Sequence, residues 1–209
     1  MYLAELTFKV ISDTDFSSAE AAIRRYMECL IFNGQLWGRE FPTAWQQDCF
    51  NSRVVMPAED ALLQKHHSPR ALAALEQLAA AGLAYPQWQI LGMDLMSQHT
   101  DPCQHAAFYI LYSRFSDSCS PVRCGEHFAP VPLYQLTTTE PDHEPLIRWQ
   151  LQYQALDDIQ MQQSRVLRKS AERSMQQLHS RLNQQGRQLA RQLEHAVKAP
   201  VYYALYSGS

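Results

Sequence analysis

The sequence predicts an α+β protein, a ferredoxin-like α/β sandwich followed by a long-helix C-terminal region. Three observations support this class. Apolar residues alternate at the start of the chain, two stretches with helical spacing lie between strand-like segments, and no proline occurs between Pro145 and Pro200. The resulting order, β-α-β-(β)-α-β-β and then helix, suits a mostly antiparallel sheet covered by helices on one face.

The first strand and the first helix are predicted at the start of the chain. Residues 2–11 place apolar side chains at every second position, which is typical of a half-buried strand. Ser17 and Glu20 have the spacing of a capping box, in which each side chain bonds to a free backbone amide of the first turn. We therefore expect a helix from Ser18 to Phe32.

A second strand region, a second helix and two further strands follow. Residues 36–56 are rich in aromatic and β-branched residues, which favours a strand or an irregular hairpin. Ser68 and Pro69 are a cap and a first-position proline, so a helix is expected from there. The next strands are expected at residues 87–95 and 106–115.

The pattern divides the chain into three parts. Residues 1–136, which end in the strand-like VPLYQL, form the sandwich domain, and the polar residues 137–145 form a linker. Residues 146–209 form a helical region that ends in a short strand, VYYALYS. Within it we expect one helix over residues 146–163 and, from Ser164, a helix of about 30 residues, about 45 Å long unless Asn183 to Gly186 bends it.

The formal net charge of −3 conceals an unequal distribution. Residues 1–163 carry 10 Lys/Arg and 19 Asp/Glu, a net charge of −9. Residues 164–209 carry 8 Lys/Arg and 2 Asp/Glu, a net charge of +6. A basic segment joined to an acidic body favours contacts with anionic partners.

Composition also indicates the compartment. No run of 18 or more apolar residues occurs, and the first ten residues lack the basic start and apolar centre of a signal peptide. Five cysteines without a secretion signal favour reduced thiols over a disulfide framework. We expect a cytoplasmic protein without a membrane partner.

A metal site is suggested by the central stretch SCSPVRCGEHFAPVPLY. Cys119, Cys124 and His127 have the spacing C-x4-C-x2-H, and Cys103 offers a fourth ligand from the preceding loop. Zinc favours four tetrahedral Cys and His ligands, so zinc is the predicted cofactor. The alternative is that the cysteines are small buried thiols and the histidine is a surface imidazole.

The same stretch is also compatible with a cysteine- or metal-dependent enzyme centred on Cys124, with His127 or His105 as base. A reactive cysteine needs a pKa lowered by a positive charge or a helix N-terminus. The chain contains no phosphate-loop, dinucleotide, nucleophile-elbow or H-E-x-x-H motif. Loop residues such as His99 and Asp101 are interpreted as solvated polar groups.

Basic residues are concentrated on the predicted long helix. They are Arg165, Arg168, Lys169, Arg173, Arg181, Arg187, Arg191 and Lys198. Such clusters attract phosphate backbones through the release of counterions. The alternatives are a solvated helix face, or a face that docks on the acidic front half of this chain or on a partner.

The same helix carries an apolar stripe at helical spacing. Its members are Leu167, Ala171, Met175, Leu178, Leu182, Leu189, Leu193 and Val197. A stripe of this kind packs either in the core of its own chain or against a second helix, so a homo-oligomer through this helix is a second possibility.

Five segments carry a family resemblance: YLAELTF, NGQLWGREFP, HHSPRALAALEQLAAAGL, SCSPVRCGEHFAPVPLYQL and VYYALY. Together they resemble a family of uncharacterised bacterial proteins described as containing a zinc ribbon and as candidates for nucleic-acid binding. In that family the ribbon follows the segment matched by VYYALY and uses two C-x-x-C pairs. This chain contains no C-x-x-C, so the ribbon is missing from it and no ribbon ligand is carried over.

These observations together predict a non-enzymatic binding protein with DNA or RNA as its partner, held by the basic C-terminal helix. Two alternatives stay open. One is a protein-interaction or scaffolding module that uses the leucine-striped helix, and the other is the enzyme centred on Cys124.

Overall fold

The computed structural model describes residues 1–38, 41–103, 105–138, 140–162 and 166–206. The chain divides into two compact units. The N-terminal unit comprises residues 1–100, 132–135 and 140–142, and the C-terminal unit comprises residues 101–131, 136–139 and 143–209. This division differs from the predicted boundary at residue 136, because the segment 101–131 groups with the C-terminal helices.

The N-terminal unit is a four-stranded antiparallel sheet with two helices. Its elements are β1 (Tyr2–Lys9), α1 (Phe16–Phe32), β2 (Thr43–Gln46), β3 (Cys49–Met56), α2 (Pro69–Ala80) and β4 (Gln87–Met93). The strand order is β2-β3-β1-β4, and all neighbouring strands are antiparallel. The βαββαβ order with β1 central confirms the predicted ferredoxin-like sandwich.

The core of this unit follows from the alternation of β1. Ala4, Leu6 and Phe8 are fully buried, and they belong to the same core as the buried faces of α1 and α2. Burying one face of a strand in this way needs apolar residues at every second position, which is the pattern that predicted β1.

The helix starts were predicted with unequal success. In α2, Ser68 Oγ accepts from Ala71 N at 3.2 Å, and Pro69 is the first helical residue, as predicted. In α1 the cap is Asp15, whose Oδ2 accepts from Ser18 N at 2.9 Å, so the predicted capping box at Ser17 is wrong. Both residue types are good caps, and the sequence alone does not rank them.

The C-terminal unit combines a three-stranded sheet with three helices. Its elements are β5 (Tyr109–Leu111), β6 (Val122–Cys124), α3 (Glu144–Met161), α4 (Arg168–Gln176), α5 (Arg181–Val197) and β7 (Val201–Tyr203). The strand order is β6-β5-β7, with β7 parallel to β5 and β6 antiparallel to it. The predicted terminal strand is therefore confirmed, whereas VPLYQL forms a short 3-10 helix at Leu133–Gln135 instead of a strand.

The prediction of one continuous helix from Ser164 is wrong, because the chain turns between α4 and α5. Ser180 caps α5 by accepting from Asn183 N at 3.2 Å. Asn183, which is fully buried, donates through Nδ2 to Met175 O at 2.8 Å and to Gln177 O at 2.9 Å. These bonds satisfy carbonyls that a continuous helix would have paired internally.

The apolar stripe lies mostly in the core of its own unit. Ala171, Met175, Leu182, Leu189 and Leu193 are all buried, and α3, α4 and α5 pack on one another. Leu167 and Leu178 of the stripe are exposed, and the homo-oligomer through this helix stays a prediction. Among the helices of the described residues, none combines the length and apolar character that a membrane crossing would need.

Candidate functional site

Two of the three basic residues of α4 lie away from its buried side. Ala171 and Met175 are buried, whereas Lys169 and Arg173, one turn apart, lie on the opposite side of the helix and are exposed. Arg168 is exposed as well. The predicted Arg165 lies outside the described residues.

Two basic residues of α5 also lie away from the buried side of their helix. Arg187 and Arg191 share the side of the helix opposite Leu189 and Leu193, and Lys198 is the residue that caps the end of the helix. Arg191 and Lys198 are exposed, and Arg187 is half-buried because its guanidinium donates to Leu178 O at 3.0 Å. Arg187 therefore also stabilises the turn before α5.

We define the cationic face as Arg168, Lys169, Arg173, Arg181, Arg187 and Arg191. Within the described part of the chain, none of the six forms an ion pair with a carboxylate. The two acidic residues of this region have other contacts, since Glu172 accepts from Gln176 Nε2 and Glu194 accepts from Val201 N. The positive charge is thus not neutralised by neighbouring acids.

A second group of side chains meets where the segment before β5 approaches the turn after β6. One ligand atom each from Asp101, Cys103, Cys124 and His127 lies within 4.8 Å of the others. His127 Nδ1 is 3.0 Å from Asp101 Oδ1, 3.5 Å from Cys103 Sγ and 3.8 Å from Cys124 Sγ. We call these four residues the cysteine–histidine cluster.

Asp101 is the member of this cluster that the sequence analysis missed. It is only 8% exposed, and its backbone N–H donates to Pro130 O at 2.9 Å. Its Oδ2 atom is buried and has no hydrogen-bond partner among the described residues. The solvated-loop interpretation of Asp101 is therefore wrong. The D-x-C spacing to Cys103 was the one available signal.

Cys119 does not belong to the cluster, although it was a predicted ligand. It is buried, and its Sγ accepts from Arg123 Nη2 at 3.1 Å, while the same guanidinium donates to Asp117 at 2.8 Å. Burial raises the pKa of Cys119 to about 11. The structure therefore places Asp101 where the sequence analysis placed Cys119, and Cys119 is a poor nucleophile at neutral pH.

The backbone of the turn holds Cys124 and His127 in place. Phe128 N donates to Cys124 O at 2.9 Å, and Phe128 has a positive φ of 55°. Gly125 N donates to Phe108 O at 2.9 Å, and a side chain at Gly125 would collide with the Phe108 ring. This close approach requires glycine at position 125.

Three further histidines have structural partners or lie apart from the cluster. His66 Nε2 lies 3.1 Å from Asp60 Oδ2, and His67 Nε2 lies 2.8 Å from the hydroxyl of Tyr26. His105 is exposed and is not a member of the cluster.

The pKa of the Cys103 thiol is raised above its ordinary value. The largest cause is desolvation, and the next is the negative charge of the Asp101 carboxylate.

Two families match the chain, and both are described only as domains of unknown function. The first, DUF2310, matches residues 103–206, and the second, DUF8589, matches residues 1–92. These descriptions agree with the uncharacterised part of the predicted resemblance. They contain no mention of a zinc ribbon.

Two uncharacterised proteins of Haemophilus influenzae (strain ATCC 51907 / DSM 11121 / KW20 / Rd) are similar in sequence. One is 31% identical over 212 residues, covering 99% of this chain and 81% of the relative. The other is 36% identical over 126 residues, covering 60% of this chain and 62% of the relative.

Two solved structures are similar to less than half of this chain, at low sequence identity. A putative antibiotic biosynthesis monooxygenase from Nitrosomonas europaea has 14% identity and a TM-score of 0.33, covering 44% of this chain and 98% of the other. A second putative antibiotic biosynthesis monooxygenase, from Deinococcus radiodurans, has 11% identity and a TM-score of 0.32, covering 45% of this chain and 93% of the other. Both neighbours are described as monooxygenases, which runs against the prediction of a non-enzymatic protein. Likeness of this size assigns no reaction to this chain.

Proposed function

We propose that this chain, which belongs to the same family as the Haemophilus influenzae relative that matches 99% of it, binds the phosphate backbone of nucleic acid through the cationic face. The observation that carries the proposal is the set of cations on α4 and α5, five of them exposed and none paired with a carboxylate among the described residues. Unneutralised charge at the surface is the electrostatic footprint expected of such a site.

The arrangement of the cations suits a chain of phosphates. Arg187 and Arg191 are separated by one helical turn, and so are Lys169 and Arg173, which places each pair about 5–6 Å apart at the Cβ atoms. Arginine offers a planar fork of donors that matches phosphate oxygens. Each cation that meets a phosphate releases condensed counterions, and that release favours binding.

The same face lacks the groups that read bases. No Phe, Tyr or Trp occurs between residues 164 and 198, so stacking on unpaired bases is not available there. Long cationic side chains that contact phosphates position a protein without reading its sequence. We therefore expect binding that depends little on sequence and is stronger for duplex than for single strands, because duplex has the higher charge density.

Charge reversal tests the proposal. The triple variant R168E/K169E/R173E should weaken binding of a fluorescently labelled 20-base-pair duplex by at least about tenfold in a polarisation titration at low salt, because three attractive contacts become repulsive. The matched control K9E/R24E/R53E makes the same change in net charge in the N-terminal unit, at side chains that are also exposed. Equal losses in both variants, or no loss in the first, would contradict the proposal.

A further inference from the structure

We propose that the cysteine–histidine cluster is a zinc site with Asp101, Cys103, Cys124 and His127 as its four ligands. This site is separate from the cationic face and does not depend on its function. It differs from the site expected from sequence in one ligand, a carboxylate in place of the third thiol.

The distances between the ligand atoms match the edges of a zinc tetrahedron. With Zn–S of about 2.3 Å and Zn–N or Zn–O of about 2.0 Å, a regular tetrahedron has S···N edges of about 3.5 Å and N···O edges of about 3.3 Å. The corresponding distances are 3.5 and 3.8 Å from His127 Nδ1 to the two sulfurs and 3.0 Å to Asp101 Oδ1. The other three edges are at most 4.8 Å long, so an ion at the centre of the cluster would draw those atoms together by no more than about 1.3 Å.

The unpartnered oxygen of Asp101 is an independent indication of a ligand. A buried carboxylate oxygen normally accepts at least one hydrogen bond, because burying it without a partner is costly. Asp101 Oδ2 has none among the described residues, although the side chain is more than nine-tenths buried and directed into the cluster. A cation bound here would compensate this carboxylate.

The backbone keeps the four ligands in place before any ion binds. The two ligand segments are joined at Asp101, whose N–H donates to Pro130 O, and at the close approach of Gly125 to Phe108. Cys124 ends a strand whose neighbour β5 lies in the centre of the small sheet. Ligands on such supports lose little entropy when the metal binds.

The chemical nature of the donors selects the metal. Two thiolates and one imidazole suit borderline and soft metals, whereas Mg²⁺ and Ca²⁺ prefer oxygen ligands throughout. Four protein ligands in a tetrahedral arrangement are typical of a closed structural zinc site. Such an ion would join the segment before β5 to the turn after β6. His127, whose side chain is 50% exposed, would lie on the solvent side of the ion.

Metal stoichiometry is the first test. The purified chain, stripped with a chelator and dialysed against Zn²⁺ alone, should retain one zinc per chain by elemental analysis. Co²⁺ in its place should give the intense visible absorption of a tetrahedral site and the ultraviolet band of thiolate ligation. Retention of less than a quarter of an equivalent after dialysis, or an octahedral Co²⁺ spectrum, would overturn the proposal.

Ligand identity is the second test, and the chain supplies its own control. Cys103→Ser should weaken zinc affinity by at least tenfold and halve the thiolate band, and Asp101→Asn should weaken it by at least tenfold while leaving the band unchanged. Cys119→Ser, a thiol in the same stretch, should keep full stoichiometry and affinity. Loss of zinc in Cys119→Ser comparable to that in Cys103→Ser, or wild-type affinity in Asp101→Asn, would contradict this ligand set. Because Cys103 is only partly buried, its variant is expected to fold, which circular dichroism would verify.

Discussion

His67 shows how a single buried imidazole makes the stability of the N-terminal unit depend on pH. Its Nε2 lies 2.8 Å from the hydroxyl of Tyr26 and its Nδ1 lies 3.2 Å from Leu63 O. The geometry fits a neutral ring that donates from Nδ1 and accepts at Nε2. Burial lowers the pKa of His67 below its ordinary value of 6.5.

The sign of the resulting pH effect follows from proton linkage. Below pH 6.5 the unfolded chain takes up a proton at His67 that the folded chain does not, so the stabilisation present at higher pH is lost as the pH falls. We predict that the free energy of unfolding in urea declines from pH 7 to pH 5, and that His67→Gln makes this decline shallower. His195→Gln, which replaces an exposed imidazole, is the control and should keep the wild-type slope. An identical slope in His67→Gln would refute the assignment.

Asn183 is the residue on which the turn between α4 and α5 depends. Its Nδ2 donates to two backbone carbonyls, and its Oδ1 accepts from the hydroxyl of Tyr203 at 2.6 Å. Asn183→Asp keeps the shape but removes both donors and buries a charge against two carbonyls, so we predict a loss of about 3 kcal/mol or more. Tyr203→Phe removes one bond and should cost about 1 kcal/mol. Urea unfolding of both variants measures the difference, and losses of equal size would contradict this role.

Residue-scale prediction succeeded where the partner of a side chain is close in sequence. Ser68 caps α2 because the amide it bonds is three residues away, a distance that spacing reveals. Asp101 was missed because its partner His127 lies 26 residues further along the chain. The pairing of β5 with β6 and the bond to Pro130 help to bring the two together, and neither is visible in local spacing.

At the scale of elements, the packing of α5 depends on a glycine within the helix. Gly186 is buried against Tyr203 and Trp149, and an added Cβ would lie 2.8 Å from Trp149 Nε1. Alanine is the better helix former by about 1 kcal/mol, but overpacking a buried contact costs about 1–3 kcal/mol. We therefore predict that Gly186→Ala destabilises the chain.

The matched control for this prediction is Gln184→Ala, on the exposed side of the same helix. There the helix propensity of alanine is unopposed, so urea unfolding should show unchanged or slightly higher stability. If Gly186→Ala raised the unfolding free energy as well, helix propensity would outweigh the close packing, and our account of α5 would fail.

Two element-scale features show why the sequence left the strands uncertain. The β2–β3 hairpin turns through Gln47 and Asp48, which both have positive φ. A two-residue turn of this kind usually contains Asn-Gly or Asp-Gly, so the sequence did not indicate it. The stretch 106–115 has strand-like composition, yet only Tyr109–Leu111 pairs in the sheet. Composition limits where a strand can form, and the available partners decide where it does.

At the scale of the whole molecule, the main prediction concerned the distribution of charge. The sequence places a net charge of +6 on residues 164–209, and the structure exposes five of the six residues of the cationic face, on two helices in place of one. Apolar periodicity fixed which sides of these helices are buried. The turn at residues 177–180 depends on buried hydrogen bonds of Asn183, which periodicity does not encode.

The zinc proposal also has a consequence at this scale. A metal that binds only the folded state stabilises it by an amount that grows with the free metal concentration. We predict that adding Zn²⁺ to the stripped chain raises the unfolding midpoint of the C-terminal unit, which contains all four ligands. A chain in which Cys124 and His127 are both replaced should show no such rise, and an undiminished rise would contradict the assignment.

The salt dependence of duplex binding tests the central claim about the cationic face most directly. For the wild-type chain, the logarithm of the binding constant should fall linearly with the logarithm of salt concentration, with a slope of about −0.9 for each phosphate contacted. The neutralising variant R168Q/K169Q/R173Q should reduce the steepness of that slope by about 1 for each cation that it removes. A slope near zero, or one that the variant leaves unchanged, would show that these residues do not contact phosphates.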